Sequence, residues 1–344
     1  MGSGIGIGGQ NPNIKSPSSY QWAATLEHKM GNDLVASVLY SGAHDSDLVS
    51  GGDVGGNVNY GTNINNLPGG LIGMPTGSLA PTINSSFGTI NYSQNNARSN
   101  YEGITFDMRG RLKHAFFDAS YTRSSSKDDA GYYPNTANTA FYYGPSPWDV
   151  PNRFSLSFNY QFTGLHNGEG AAGKITGGWG VSGTSIYQTG YPFSVYAGNI
   201  FNQSAYVAGG DAHLETTGDY SADGENNDFP NATNYTQTNN YFSSSATNYG
   251  VFAAGQFTVP TMGTFGNETN HSFREPSFAE TDISVYKDNH ITERLNFQFR
   301  FDLFNVFNRG NFQGIQANVN AGNFGQVTSE LLPFFWDVGG KFTF

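Results

Sequence analysis

Cysteine is absent from this chain, and with it go thiolate metal sites, disulfide scaffolds and thiol nucleophiles. Charge is scarce as well. Asp, Glu, Lys and Arg make up 12% of the residues, about half their share in an ordinary soluble domain, so the surface is not one that water alone must accommodate. The 16 Lys and Arg are outnumbered by 27 Asp and Glu, leaving a formal net charge of -11. That balance cannot supply a phosphate-binding footprint, and no nucleic-acid partner is expected. Nothing apolar runs for the roughly 18 residues that a membrane helix needs, and the mean hydropathy is negative at -0.44. The N-terminal Met1-Gly-Ser-Gly-Ile-Gly-Ile-Gly-Gly9 has neither the basic nor the apolar region of a secretory leader.

Aromatic residues fill the gap, with 28 Phe and 20 Tyr. A chain poor in charge, rich in aromatics and without an apolar helix can still satisfy its backbone in lipid as a closed β-barrel, whose strands alternate and so look hydrophilic on average. Period two is visible. Leu295, Phe297, Phe299, Phe301 and Leu303 alternate with Asn296, Gln298, Arg300 and Asp302; Phe154, Leu156, Phe158, Tyr160 and Phe162 alternate with Ser155, Ser157, Asn159 and Gln161. Runs of about 10 residues suit a tilted membrane strand. The same template places strands near 19–29, 33–41, 99–111, 114–124, 152–163, 175–187, 277–288, 292–306 and 334–344.

The connections alternate short (30–32, 112–113, 164–174, 289–291) and long (42–98, 125–151, 188–276, 307–333), as periplasmic turns and external loops do. The fold expected is therefore all-β: part of an antiparallel transmembrane barrel, about nine or ten up-and-down strands with long external loops. The first strand descends and the count is odd, so the chain is expected to start within a barrel and to leave an open sheet. The long loops, such as Gly51 to Gly70 and Ser221 to Asn248, read as solvated polar segments.

A turn centred on His290 would set Glu280 opposite Arg300, Asp282 opposite Gln298 and Ser284 opposite Asn296, keeping both faces of the hairpin consistent. This register predicts a lumenal ion pair between Glu280 and Arg300. Asp107, Arg109 and Arg111 share a polar face opposite Ile104, Phe106 and Met108. Together with Glu280, Asp282 and Arg300 they are the candidates for a substrate path.

The last residues, Phe334 to Phe344, alternate to the end. Asp337, Gly339, Phe342 and Phe344 resemble the assembly signal of outer-membrane proteins, which presents a strand edge to the barrel-assembly machinery with aromatics at the lipid interface. Seven histidines, at 28, 44, 114, 166, 213, 271 and 290, form no zinc spacing, and there is no Gly-x-Ser-x-Gly elbow. Asp45, Asp47 and Asp53, and Asp211, Asp219, Asp223, Glu225 and Asp228, lie in acidic loops without the fixed spacing of a calcium loop. No catalytic residue, metal or cofactor is expected.

Several stretches resemble the barrel of Oar-like TonB-dependent receptors: Asn11-Pro-Asn-Ile-Lys-Ser-Pro-Ser-Ser-Tyr-Gln-Trp22, Ser99-Asn-Tyr-Glu-Gly103, Ala119-Ser-Tyr-Thr-Arg-Ser-Ser-Ser-Lys-Asp-Asp129, Asp149-Val-Pro-Asn-Arg-Phe154, Gly178-Trp-Gly-Val-Ser-Gly183, Gln188-Thr-Gly-Tyr-Pro-Phe193 and Phe301-Asp-Leu-Phe-Asn-Val-Phe-Asn308. The resemblance implies a barrel of about 22 strands, of which residues 1–344 would be the C-terminal part. It also implies bacterial outer-membrane localisation, uptake of an unidentified ligand, and contact with TonB only through a plug. Plug, signal peptide and N-terminal β-sandwich have no counterpart in these residues. Two other readings stay open: a soluble secreted β-sheet adhesin or carbohydrate-binding module, and an outer-membrane barrel enzyme, for which His44 beside Asp45 and Asp47 is the nearest cluster.

Overall fold

The computed structural model describes residues 5–50, 87–129, 142–164, 170–198, 220, 228–242, 245, 247–261 and 264–344. Among these, nine strands form one antiparallel meander: β1 (Ser18–Met30), β2 (Leu34–Ser50), β3 (Phe87–Arg111), β4 (Ala115–Asp128), β5 (Asn152–Gln161), β6 (Trp179–Gln188), β7 (Phe278–His290), β8 (Asn296–Phe304) and β9 (Phe335–Thr343). Each pairs with its sequence neighbour, and the path ends at β1 and β9, which do not pair with each other among the described residues. Two short pieces add to it: Ile5–Gln10 runs parallel to the outer part of β3, and Gly144–Pro145 pairs with the outer end of β4. No described helix is long and apolar enough to cross a membrane.

All nine strands overlap the ranges where alternation places them, with ends that differ, because lipid on one side and water on the other impose period two on every one. Cross-strand partners keep the two faces separate. Phe342, Phe297 and Asn289 stand side by side on β9, β8 and β7, as do Val338, Phe301, Val285, Val181 and Tyr160 on β9 to β5. On this outer face Trp22, Leu26, Phe106, Met108, Trp336 and Phe342 are exposed as residues facing hydrocarbon should be. The other face carries Arg300, Asp302, Ser284, Ser182, Ser157 and Asp107. β2 and β3, with 17 and 25 residues, exceed the 9–11 or so that span a bilayer, and so project beyond it on the external side. The expected loop 42–98 is correspondingly shorter.

Three expectations need correction. The hairpin register is the first: Ser284 faces Asp302, Tyr286 faces Arg300 and His290 faces Asn296, not the partners that a turn at His290 would give. β7 continues to His290, and the turn is Ile291–Leu295, closed by the Thr292 hydroxyl accepting the backbone N–H groups of Arg294 (3.3 Å) and Leu295 (3.0 Å). Each partner is displaced by an even number of residues, so face consistency could not reveal it. Cysteines at Ser284 and Asp302 should therefore cross-link under mild oxidation, since directly opposed Cα atoms lie within disulfide reach, whereas cysteines at Ser284 and Asn296 should not. The reverse outcome on a non-reducing gel would restore the first register.

The second correction concerns 164–178. A seven-residue helix, Gly170–Thr176, occupies part of what reads as a turn, and β6 begins only at Trp179. The third is that the described parts of the loops after β6 and β8 are not simply solvated. They fold into short ribbons (Asn231–Ala232 with Phe257–Thr258, Asn248–Tyr249 with Phe252–Ala253, Pro192–Phe193 with Phe273–Arg274, Phe312–Ile315 with Val327–Glu330). The ribbons enclose a core of Val195, Val251, Phe252, Phe273, Ile315 and Phe324. Phe252 stacks on Phe324 with ring centroids 5.1 Å apart and meets Phe273 edge-on at 5.0 Å. Each buried Phe contributes about 1.5–3 kcal/mol, enough together to hold an external cap whose β-ribbons are very short.

Candidate functional site at the external mouth

Two concavities follow one another along the inner face of β6. The lower, about 380 Å³, is lined by Ser182 and Thr184 of β6, Ser157 of β5, Asp282 and Ser284 of β7, and Arg300, Asp302 and Phe304 of β8. Arg300 donates to Ser284 Oγ (3.1 Å) and to Asp302 Oδ1 (3.0 Å), while Asp282 Oδ1 accepts the Asn305 N–H at 2.9 Å. The upper, also about 380 Å³, lies under the cap and is lined by Arg153, Ile186, Gln188, Tyr191, Glu275, Phe278, Phe312 and Gln313. Ser182, Thr184, Ile186 and Gln188 alternate along one strand, so cleft and groove share one inward-facing row that is polar except for Ile186.

The rim is built by one buried ion pair. Asp149 is 5% exposed at its side chain and takes a short charge-assisted bond from Arg274. Its other carboxyl oxygen accepts the Ser126 N–H at 2.6 Å. Arg274 also donates to the Asp149 carbonyl (3.0 Å) and the Gly190 carbonyl (3.2 Å). The β4–β5 connection and both ends of the β6–β7 connection are thus tied to the top of β4. Next to this knot, burial pushes the Glu275 carboxyl above the ordinary glutamate range, opposed only by a Gly314 backbone hydrogen bond.

The cap holds a second buried acid. Glu268 is fully buried, neither of its carboxyl oxygens has a hydrogen-bond partner within bonding geometry, and burial raises its pKa well above the usual value, with the Val195 backbone and the Ser272 hydroxyl opposing only in part. Nearby His271 is pushed the other way, its pKa lowered by burial, although Nδ1 lies 2.7 Å from the Pro145 carbonyl.

The family model for the outer membrane beta barrel domain matches residues 2–334. The chain belongs to that family, and its place is the outer membrane. None of the curated proteins compared with this barrel domain matches it. Among solved structures it is similar to the outer membrane transporter YddB from Escherichia coli, at TM-score 0.50 and 12% identity over 99% of this chain and 34% of that one. It is also similar to the FrpB iron transporter (F3-3 variant) from Neisseria meningitidis, at TM-score 0.45 and 10% identity over 97% and 32%. The pyoverdine outer membrane receptor FpvA from Pseudomonas aeruginosa PAO1, bound to pyoverdine, follows at TM-score 0.45 and 11% identity over 96% and 30%. The barrel domain spans about a third of the length of these proteins.

Against this frame the candidate residues of the sequence divide. Asp282 and Arg300 meet in the lower groove. Glu280 does not join Arg300: it faces Ile186 near the outer end of β7, while Arg300 lies opposite Tyr286, six residues along the strand. The predicted ion pair is therefore replaced by Arg300 with Asp302. Asp107, Arg109 and Arg111 share one face of β3, separated by β4 from the β5 wall of the groove; Arg109 pairs with Glu27 of β1 at 3.0 Å. On β9, Asp337 faces Asp302, Gly339 faces Arg300, and Phe342 packs against Phe297 with centroids 4.7 Å apart; Phe344 follows the strand. His44 lies 2.6 Å from Asn100 Oδ1, and Asp45 binds Ser99 on the opposite face of β2, so these adjacent residues do not form one site. Asp53, Asp211, Asp219, Asp223 and Glu225 lie outside the described residues; among those described, no three His, Asp or Glu gather as metal ligands. Arg153, Gln188, Tyr191 and Glu275 escaped the sequence reading, although Asp149–Phe154 and Gln188–Phe193 were among the stretches resembling a receptor family.

Proposed function

We propose that this barrel domain forms part of the wall and external cap of a TonB-dependent transporter that takes a solute across the outer membrane. The observation that carries the reading is the inward-facing row Ser182, Thr184, Ile186 and Gln188 on β6, polar except for Ile186, opening at the top into a cleft roofed by an ordered cap. Arg153, Gln188 and Glu275 receive the solute at the mouth; Asp282, Arg300 and Asp302 line its onward path, with Glu280 between them. Asp107, Arg109 and Arg111 with Glu27 line the opposite stretch of wall. Energy comes from TonB through a plug that another segment contributes. Asp337, Gly339, Phe342 and Phe344 engage the barrel-assembly machinery. The similarity to an outer membrane transporter supports the fold that this reading requires.

Uptake into cells with and without this chain, using radiolabelled ferric siderophores, oligosaccharides and peptides as probes, tests it. Uptake of one probe that requires the chain, stops on addition of a protonophore and falls with Arg153→Glu or Arg300→Glu is the expected result. Uptake that persists without the proton-motive force would remove TonB from the reading.

A further inference from the structure

The helix Gly170–Thr176 sits at the periplasmic end of the wall, between β5 and β6. Gly173 is its buried residue, while Ala171, Ala172 and Ile175, three and four positions apart and hence on one face, are exposed, Ile175 at 69%. An apolar stripe facing away from the protein is unfavourable in periplasmic water. The wall side chains that hold the helix show which medium it meets. Lys287 stands between Phe299 and Trp179 on the outer, lipid-facing side of the sheet. Its ammonium donates to the carbonyls of Lys174 (3.0 Å) and Gly177 (2.7 Å) and lies 5.4 Å from the centre of the Trp179 ring. The Trp179 indole N–H donates to the Ile175 carbonyl at 3.0 Å. The unpaired carbonyls at the helix C-terminus are thus satisfied by two side chains of the lipid-facing surface, a Trp and a Lys of the kind that settle at membrane interfaces. The helix is continuous with that surface.

We propose that this helix is a foot lying in the headgroup layer of the periplasmic leaflet, with Ala171, Ala172 and Ile175 against the start of the acyl chains and the Lys174 ammonium on a phospholipid phosphate. An amphipathic segment lying flat in the interface buries its apolar face a few ångströms into the acyl boundary and gains from anionic headgroups. Such a foot fixes the height of the wall in the bilayer at a connection between strands, where a plain turn would leave it free to slide.

Because the chain has no cysteine, Ile175→Cys gives a single spin-labelling site within the chain, read in outer-membrane vesicles after subtracting the signal of vesicles that hold the cysteine-free chain. Phe299→Cys on the lipid face and Thr238→Cys in the external cap serve as references. The label at 175 is expected to collide readily with oxygen and poorly with a water-soluble nickel chelate, as at 299. Ready collision with the chelate, as at 238, would overturn the proposal, and so would low accessibility to both, which would mean that another protein or a second copy covers the stripe. Lys174→Glu is expected to shift the label at 175 toward the chelate while heat-modifiable migration on gels stays unchanged. No shift would remove the phosphate contact.

Discussion

Asp149→Ala should loosen the external cap from the wall while leaving the wall assembled. The carboxylate is almost fully buried and holds Arg274 and the Ser126 N–H together. Removing it leaves a guanidinium, 32% exposed at its side chain, without its charge partner at the junction of two connections. Breaking a fully buried pair from one side costs about 3–5 kcal/mol; with Arg274 about a third exposed the cost here lies near the lower end, about 3 kcal/mol, and it falls on the mouth, because the lipid-facing ladders from β1 to β9 do not involve Asp149. Hydrogen exchange is the measurement. The Glu275 amide, which donates to the Tyr191 carbonyl at 2.9 Å, should lose protection by two to three orders of magnitude, roughly what that free energy implies, while amides in β7 and β8 keep theirs. Asp149→Asn, which retains an acceptor for Ser126 but no charge, should fall between. Unchanged protection at Glu275 in Asp149→Ala would show that the aromatic core alone holds the cap.

Asp149 also illustrates what the sequence could and could not tell. Its segment stood out as resembling a receptor family, yet its partner Arg274 lies 125 positions away with no pattern linking the two. Local alternation was legible wherever lipid enforced it, so all nine strands and both faces could be read. The register of β7 and β8 was not, because a displacement by an even number of residues keeps every side chain on its face and only the Thr292 turn distinguishes the choices. The Gly170–Thr176 helix was hidden for a similar reason: its C-terminal carbonyls are capped by Lys287 and Trp179 from the wall, not by a local signal. The cap is the extreme case. Phe193, Phe252, Phe257, Phe273 and Phe324 have no period, and only the folded chain brings them together. Motif glycines become intelligible in the same way. Gly180 leaves room for the Tyr286 ring, which a Cβ would displace and whose hydroxyl receives the Asn159 amide at 2.9 Å. In Phe301–Asn308, Asn305 is buried at φ 47° and its side chain binds the Arg309 backbone on both sides, turning the chain off the wall.

Glu268→Gln should stabilise the cap at neutral pH by removing an ionisable group that only the opened cap can ionise. The buried carboxyl has a folded-state pKa above its unfolded value of about 4.3, because burial disfavours the ionised form. Below that unfolded value the group is protonated in both states and contributes nothing to the pH dependence. As pH rises through it, the opened cap releases the proton and the closed cap does not, so closure weakens by up to about 1.4 kcal/mol per pH unit until the buried group itself ionises. His271 acts with the opposite sign. Its folded pKa lies below the unfolded one, so closure weakens as pH falls below about 6.5. The cap of the unaltered chain should therefore lose protection on both sides of an optimum in the weakly acidic range. In Glu268→Gln the loss on the alkaline side should shrink to the shallower contribution of half-buried Glu275, and the gain at neutral pH is the linkage term alone, up to about 1.4 kcal/mol for each pH unit above the unfolded value, because the amide gives the opened cap no proton to release. In His271→Asn, which suits the left-handed backbone at that position (φ 54°), the loss on the acid side should vanish instead. Amide exchange at Val195, Phe252 and Phe273, followed against pH with β8 as the internal reference, distinguishes the two variants. A cap whose alkaline loss is the same with Glu268 and with Gln would mean that the carboxylate finds a partner when it ionises.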